Sequence, residues 1–304
     1  MQTGRRMISG HRLFLFFTAV TFVIFYAPLR DLMVLSFHKE VYSHILLVPL
    51  VSGYFFYLKR ETIFSNVRRS FVPGGMVVIS GVILYLAGIY LGQGLNRNDY
   101  LSLMTLSALL FLIGGFIFSY GLQAFNAASF PLLYLGFMVP IPSVVLEWLI
   151  HFLRVGSVEV VAFIFRLTGV PAVQEGYVFH LPSLGIEVAK QCSGIRSTIV
   201  LFISSIIAGH VFLRTGWKKI VLYLSIFPVT IVKNGLRIVT LAVLGEYVDK
   251  TFLTNSILHR NGGILFLFIA VLIILPLLWV LNRSEPKVTG SLDCEGSAGK
   301  KQKK

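Results

Sequence analysis

Residues 192–213 read CSGIRSTIVLFISSIIAGHVFL, and the apolar part of this stretch, from Ile195 to Leu213, decides the fold class. An α-helix rises about 1.5 Å per residue, so a helix of this length crosses the roughly 30 Å of hydrocarbon in a bilayer. Similar apolar segments recur along the chain, in which 56% of the 304 residues are hydrophobic. The sequence therefore predicts an all-α polytopic membrane protein.

The apolar segments predict about eight transmembrane helices, each bounded by polar or charged residues. One of them falls within a longer apolar region that a Pro-x-Pro sequence interrupts. The spans are predicted near Leu13 to Leu29, Ile45 to Leu58, Met76 to Leu91 and Leu101 to Tyr120, within Ala128 to Val170, and near Ile195 to Leu213, Ile220 to Val243 and Ile264 to Leu281.

The net charge of +14 arises from Lys and Arg residues that cluster between the apolar segments and in the tail. This distribution reports on topology and does not indicate a groove for nucleic acid. If the spans alternate, every cluster falls on one side of the bilayer, so we expect both termini in the cytoplasm. The clusters are Arg5, Arg6 and Arg12; Lys59, Arg60, Arg68 and Arg69; Arg214, Lys218 and Lys219; and Arg283 to Lys304.

The region from Ala128 to Val170 is expected to divide at Pro140-Ile141-Pro142, with one half crossing the membrane and the other re-entrant or interfacial. In the second half, Glu147, His151 and Arg154 follow one helical face at spacings of four and three. This stripe either lines a site or forms a satisfied intramembrane ion pair, and the ion pair is the favoured interpretation.

A small extracytoplasmic hairpin is predicted directly before Cys192. The segments Tyr177 to Leu181 and Ile186 to Lys190 are rich in β-forming residues, and Pro182-Ser183-Leu184-Gly185 makes a suitable turn. We therefore expect the thiol at the outer membrane interface, beneath the hairpin.

Cys192 is the first candidate for chemistry. A thiol at a helix N-terminus, with Arg196 four residues on, experiences the helix dipole and a nearby cation, and both stabilise a thiolate. It is either a nucleophile or a small residue that packs a helix end. The only other cysteine, Cys294, lies in the polar tail.

Lys233-Asn234-Gly235-Leu236-Arg237 interrupts an otherwise apolar span. Lys233 and Arg237 share a helical face, where like charges are costly near hydrocarbon unless an anion or a water cavity faces them. Arg237 lies about 27 Å above Lys219, at the expected depth of Cys192. A functional break in the helix is favoured over an arginine that extends to the interface.

A base for the thiol would be a histidine on the outer side. Residue chemistry alone does not choose among the five that topology admits. His259 is attractive because it precedes Gly262-Gly263 in a short outer loop. The five are His38, His44, His151, His180 and His259.

Taken together, these motifs resemble the signatures of the exosortase/archaeosortase family. Cys192-Ser193-Gly194-Ile195-Arg196-Ser197, Asn234-Gly235-Leu236-Arg237-Ile238 and His259 carry the resemblance. Tyr42-Ser43-His44, followed by Leu47-Val48-Pro49-Leu50, is similar to the amino-terminal signature of the family. The resemblance extends over roughly Val41 to Leu281.

The resemblance implies a membrane-embedded cysteine transpeptidase in residues 1–282. The composition of residues 283–304, rich in Gly, Ser and Lys, predicts a basic disordered cytoplasmic tail. By position, Cys192 is the nucleophile, Arg237 the second catalytic residue and His259 the third, without metal or cofactor. Substrates would be exported proteins with a recognition motif, a transmembrane helix and a basic C-terminal tail. Arg196, Lys233 and Asn234 are tentative substrate contacts, and the acceptor is an unknown amine or hydroxyl, or water.

The expected location is the bacterial inner membrane, in contact with the lipid bilayer and with the active site extracytoplasmic, in an exopolysaccharide-associated system. Other intramembrane proteases lack their motifs here: the sequence has no His-Glu-x-x-His, Gly-x-Gly-Asp or Gly-x-Ser-Gly. The alternatives are a polytopic transporter, or a scaffold subunit of a polysaccharide export system that would tolerate loss of Cys192.

Overall fold

The protein is a helical bundle with one small sheet. The structure is a computed structural model that describes residues 2–65, 67–249 and 257–285, and only the backbone of residues 2–8, 191 and 257–265. The first half forms α1 (Gln2–Ile24), α2 (Tyr26–His38), a 3-10 helix (Glu40–Leu46), α3 (Val48–Leu58), α4 (Arg60–Phe64), α5 (Phe71–Leu91), a 3-10 helix (Gly92–Gly94) and α6 (Arg97–Tyr120).

The second half contains the sheet and the longest helices. It forms α7 (Leu122–Ala127), α8 (Ser129–Tyr134), a 3-10 helix (Leu135–Met138), α9 (Ser143–Thr168), β1 (Val173–Glu175), β2 (Val178–His180), β3 (Gly185–Glu187), a 3-10 helix (Lys190–Cys192), α10 (Ile195–Phe212), α11 (Gly216–Tyr247) and α12 (Ile257–Arg283).

Within the described ranges, seven helical segments are long and apolar enough to span a bilayer, and α1 with α2 adds an eighth if the bent pair is one span. The predicted all-α polytopic fold of about eight spans is therefore confirmed. The first span was predicted near Leu13 to Leu29, and the structure contains a bend within that range. The helix ends at Ile24 and α2 leaves at 71°, because Pro28 has no N–H to donate to the carbonyl of Ile24.

The predicted division at the Pro-x-Pro sequence agrees with the structure. The short apolar helices over Ser129–Met138 precede the break, and α9, which follows it, is long enough to cross the membrane. The predicted break around Asn234 was wrong, since α11 is continuous from Gly216 to Tyr247. The Asn234 side chain bonds to neighbouring segments and does not compete for its own helix backbone.

Close packing of α5 on α6 depends on glycine. A Cβ atom at Gly74 would lie 2.5 Å from the backbone nitrogen of Phe118, and one at Gly114 would lie 2.6 Å from that of Val78. Only residues without a side chain allow two helix backbones to approach so closely. These two glycines therefore allow the close approach of α5 and α6.

Different polar contacts join the elements at the two ends of the bundle. At one end, polar contacts join members of the predicted basic clusters to neighbouring elements: Arg69 to Ser9 at 2.7 Å, Lys59 to His210 at 3.4 Å, and Lys218 to Glu285 at 3.8 Å. At the other end, Tyr42 donates to Asn98 at 2.7 Å, Asp99 accepts from the N–H of Ser143 at 2.6 Å, and Arg196 pairs with Glu40. Cys192 lies at this second end.

The sheet is an antiparallel meander in the order β1-β2-β3. The predicted hairpin is confirmed as β2 and β3, with Phe179 opposite Ile186, although both strands are shorter than predicted. β1 was not predicted, because Val173-Gln174-Glu175 has too little apolar character to stand out as a strand. Phe179 is buried against Phe165 of α9 and Ile238 of α11, which seats the sheet on those two helices.

The chain beyond α12 is described only to Glu285. The predicted tail from residue 283 onward, with Cys294 and its charge cluster, therefore lies almost wholly outside the described residues.

Candidate active site

Cys192 ends the 3-10 helix of Lys190–Cys192 and stands just before α10. Its N–H donates to the carbonyl of Ala189 at 2.9 Å, and its side chain is partly exposed. The helix begins at Ile195, where the span was predicted to begin, with Gly194 as its N-cap, so Cys192 lies at the predicted loop-to-helix junction. The thiol is on the loop that leads into α10, outside its first turn.

Gly194 separates Cys192 from the helix for a steric reason. Its backbone is left-handed, with φ of +79°, a conformation that strains residues carrying a Cβ. A Cβ at this position would also lie 3.4 Å from the side chain of Asn234. The glycine therefore allows the Cys192 loop to turn tightly against α11.

Arg196 does not share a helical face with the thiol, because the chain turns at Gly194. Its guanidinium forms an ion pair with Glu40 in the 3-10 helix of Glu40–Leu46. That 3-10 helix contains Tyr42 and His44 of the amino-terminal motif. The ion pair thus joins two motifs that are about 150 residues apart in the sequence and partly neutralises Arg196.

Two consecutive residues of α11 contact the Cys192 loop and the first turn of α10 that follows it. Asn234 is fully buried, and its Nδ2 donates to the carbonyl oxygen of Cys192 at 2.6 Å and to Oγ of Ser157 at 3.0 Å. Lys233 is 2% exposed, and its Nζ donates to Oγ of Ser197 at 2.6 Å. Both were predicted as tentative substrate contacts, and the structure gives both of them partners inside the protein.

Arg237 follows Asn234 by three residues on the same helix and is partly buried. It lies one turn beyond the side chain that bonds to Cys192. The fold thus brings the segment that carries Arg237 and the loop that carries Cys192 to the same end of the bundle.

The histidine candidates are dispersed. His259 lies on α12, and its side chain is outside the part of the structure that is described. The other four bond to groups near them in the fold. His38 Nδ1 lies 2.8 Å from the Val34 carbonyl, His44 Nδ1 3.1 Å from the Val41 carbonyl, His151 Nδ1 3.3 Å from the Tyr177 hydroxyl, and His180 Nε2 3.4 Å from the Glu175 carboxylate.

The polar stripe of α9 holds the segment that leads to Cys192. Glu147 accepts from Lys190 at 2.8 Å, and Arg154 pairs with Glu187 at 3.1 Å. Both charges of the stripe therefore form ion pairs, as the favoured interpretation expected, but with partners outside the stripe. Glu147 and Arg154 are two turns apart on their helix, and the sheet segment supplies closer partners.

Ser157, Ser197 and Glu40 complete these contacts, and sequence reasoning missed all three. Serine and glutamate are common at helix surfaces and ends, so no local pattern marks them. Their partners come from other elements, and only the packing of those elements shows their position. Among the side chains that the structure describes, no group of three or more His, Cys, Asp or Glu could hold a metal ion.

The family of transmembrane exosortases (Exosortase_EpsH) matches residues 35–275, which is most of the chain. The chain belongs to the transmembrane exosortase family. No curated protein and no solved structure matches it. The range matched to the exosortases includes the 3-10 helix with Tyr42 and His44, the Cys192 loop, Arg237 and His259.

Proposed function

We propose that this exosortase is a cysteine peptidase or transpeptidase that cleaves the C-terminal sorting signal of exported proteins. The observation that carries the proposal is the contact between the Asn234 side chain and the Cys192 carbonyl oxygen, one turn before Arg237. This contact brings the one candidate thiol of the membrane domain close to a helix that carries a permanent cation. Membership of the exosortase family supports the same chemistry.

The proposed reaction has two steps. The Cys192 thiolate attacks the scissile carbonyl carbon, the C–N bond breaks, and a thioester forms between Sγ and the acyl group. His259 takes the thiol proton and delivers it to the leaving amine. An amine, hydroxyl or water then attacks the thioester, gives its proton to His259, and regenerates the thiolate.

Arg237 is proposed to stabilise the oxyanion that develops on the carbonyl oxygen in both steps. A guanidinium stays protonated in proteins, so it suits a fixed positive charge and not proton transfer. Of the three tentative substrate contacts, Arg196 alone is largely accessible, since its side chain is 56% exposed. We therefore retain Arg196 as a proposed substrate contact.

The proposed orientation places the Cys192 end outside the cytoplasm of a bacterial inner membrane. Lys59, Arg69 and Arg214 gather at the opposite end of the bundle, and basic residues favour the cytoplasmic side. A membrane-impermeant maleimide added to intact cells that carry Cys294→Ser should then label Cys192. Labelling that appears only after permeabilisation would reverse the orientation.

The function is tested with co-expressed reporters that carry a recognition motif, a transmembrane helix and a basic tail. We expect a cleaved product with the native chain and with Cys294→Ser, and none with Cys192→Ala at equal membrane abundance. Cleavage by Cys192→Ala would remove the thiol from the mechanism. Because hydroxylamine attacks thioesters, it should release an acyl hydroxamate from the native chain and from Cys294→Ser, and none from Cys192→Ala.

A further inference from the structure

The two hydrogen-bond partners of Asn234 determine the orientation of its side-chain amide. The carbonyl oxygen of Cys192 can only accept a hydrogen bond, and the hydroxyl of Ser157 already donates to the carbonyl of Leu153 at 2.7 Å. Both neighbours therefore need a donor, and the Nδ2 group of Asn234 supplies two N–H bonds. A flipped amide would place two oxygen acceptors against each other, so the observed orientation is the favourable one.

Lys233 is oriented in the same manner. The hydroxyl of Ser197 donates to the carbonyl of Gly194 at 2.9 Å, so its oxygen is free to accept from the Lys233 ammonium. In this geometry Lys233 is the donor. It does not act as a base toward Ser197, which would have to donate in the opposite direction.

The two side chains hold the loop on both sides of its turn. Asn234 binds the backbone at Cys192, and Lys233 binds Ser197 in the first turn of α10, whose hydroxyl in turn donates to the carbonyl of Gly194. Since the two are consecutive on a continuous helix, they also set the distance from this loop to Arg237, one turn further on. Burial of both leaves no room for a direct contact with a substrate.

We propose that Lys233 and Asn234 are positioning residues, which hold the Cys192 loop against α11 at the separation from Arg237 that the reaction needs. The inference rests on the proposed function and reassigns two residues whose sequence pattern indicated substrate binding. Displacement of a reacting group by about 1 Å can reduce a rate about 100-fold. The expected consequence of losing either donor is a lower kcat and not a weaker affinity for substrate.

The test uses full-length protein with Cys294→Ser, so that Cys192 is the only thiol. Asn234→Leu and Lys233→Met replace each donor with an apolar side chain of similar size. Thr230→Val is the matched control, because Thr230 is buried one turn earlier on α11 and its hydroxyl makes no hydrogen bond within the described residues. Three quantities are measured: the rate of Cys192 alkylation by a maleimide, the thermal unfolding midpoint in detergent, and reporter processing.

We expect Asn234→Leu and Lys233→Met to raise the alkylation rate at least about threefold over Thr230→Val, because a released loop exposes its half-buried thiol. Reporter processing by each variant is measured at the same number of degrees below that variant's own unfolding midpoint. Under these conditions we expect kcat to fall about tenfold or more while KM stays within about twofold. Alkylation rates equal to that of Thr230→Val would overturn the proposal. So would a loss that appears in KM alone.

Failure of the proposed function would look different. Alkylation does not require a substrate, so the positioning role is decided even if no reporter is cleaved. If the native chain cleaves nothing while both variants still release the thiol, the positioning role stands and the peptidase proposal fails. If the native chain cleaves and the variants match Thr230→Val in both assays, the positioning role fails alone.

Discussion

The guanidinium of Arg154 lies over the ring of Tyr177, with its central carbon 3.7 Å from the ring centroid. The same guanidinium pairs with Glu187, on the neighbouring strand of the sheet segment. One side chain from α9 thereby holds two parts of the sheet at the Cys192 end of the bundle.

Arg154→Met should loosen the sheet without unfolding the helices. A cation–π contact contributes about 0.5–2 kcal/mol and a partly exposed ion pair up to about 1 kcal/mol. We expect amide hydrogen exchange in residues 177–188 to accelerate about tenfold, since about 1.4 kcal/mol corresponds to a factor of ten. Arg166→Met is the control, because Arg166 is an exposed cation on the same helix. Equal exchange rates in both variants would contradict the proposed role of Arg154 in holding the sheet.

Gly235→Ala should separate α9 from α11. A Cβ at Gly235 would overlap Cγ1 of Val160 and lie 2.9 Å from its Cβ, which a stiff branched side chain cannot avoid by rotation. We expect a loss of about 1–3 kcal/mol in the free energy of unfolding, seen as a lower unfolding midpoint in detergent. Val160→Ala in the same chain should restore most of it. Without such restoration, the close approach is not the cause.

Lys233 and Ser197 should show strong coupling in a double-mutant cycle. Ser197→Ala leaves a buried ammonium without its acceptor and should lower the free energy of unfolding by about 1.5–3 kcal/mol. Lys233→Met should cost less, since an apolar side chain replaces a buried charge, and the double variant should resemble Lys233→Met alone. Lys233→Met combined with Ser204→Ala, an exposed serine of α10, provides the additive control. If the losses in the free energy of unfolding were additive for Lys233 with Ser197 as well as for Lys233 with Ser204, the result would contradict the hydrogen bond between Lys233 and Ser197.

The contact of Glu285 with α11 should make stability depend on pH. The hydroxyl of Thr215 donates to Glu285 at 2.7 Å, and hydrogen bonds from Thr215 and the Arg214 backbone, with charge from Lys218, hold the pKa of Glu285 below its usual value. A lowered pKa in the folded state means that the stabilisation is complete above the unfolded value of about 4.3 and disappears as pH falls.

Glu285→Gln provides the comparison for this prediction. The native chain should have the higher unfolding midpoint near pH 7, and the difference should shrink as the pH falls below about 4.3. A difference that stays constant between pH 7 and pH 3 would show that the carboxylate charge has no part in it.

The local sequence was sufficient to predict those elements whose residues are contiguous in the chain. The spans could be predicted because a transmembrane helix satisfies its own backbone and needs only a long apolar segment. The hairpin of β2 and β3 could be predicted because its turn and both strands are contiguous. The start of α10 at Ile195 could be predicted for the same reason, but the contact between Gly194 and Asn234 could not, because the two residues lie on different elements.

By itself, the sequence determined that this chain is a polytopic membrane protein with one cysteine at a loop-to-helix junction, and its ordered motifs indicated the exosortase family. Only the tertiary structure decided which groups the polar side chains of the site bind. Lys233 and Asn234 face inward to Ser197 and to the Cys192 carbonyl, and Arg196 pairs with Glu40. The reason is physical: hydrophobicity along a helix is a local property, whereas a buried donor takes whichever acceptor the packing of distant segments places beside it.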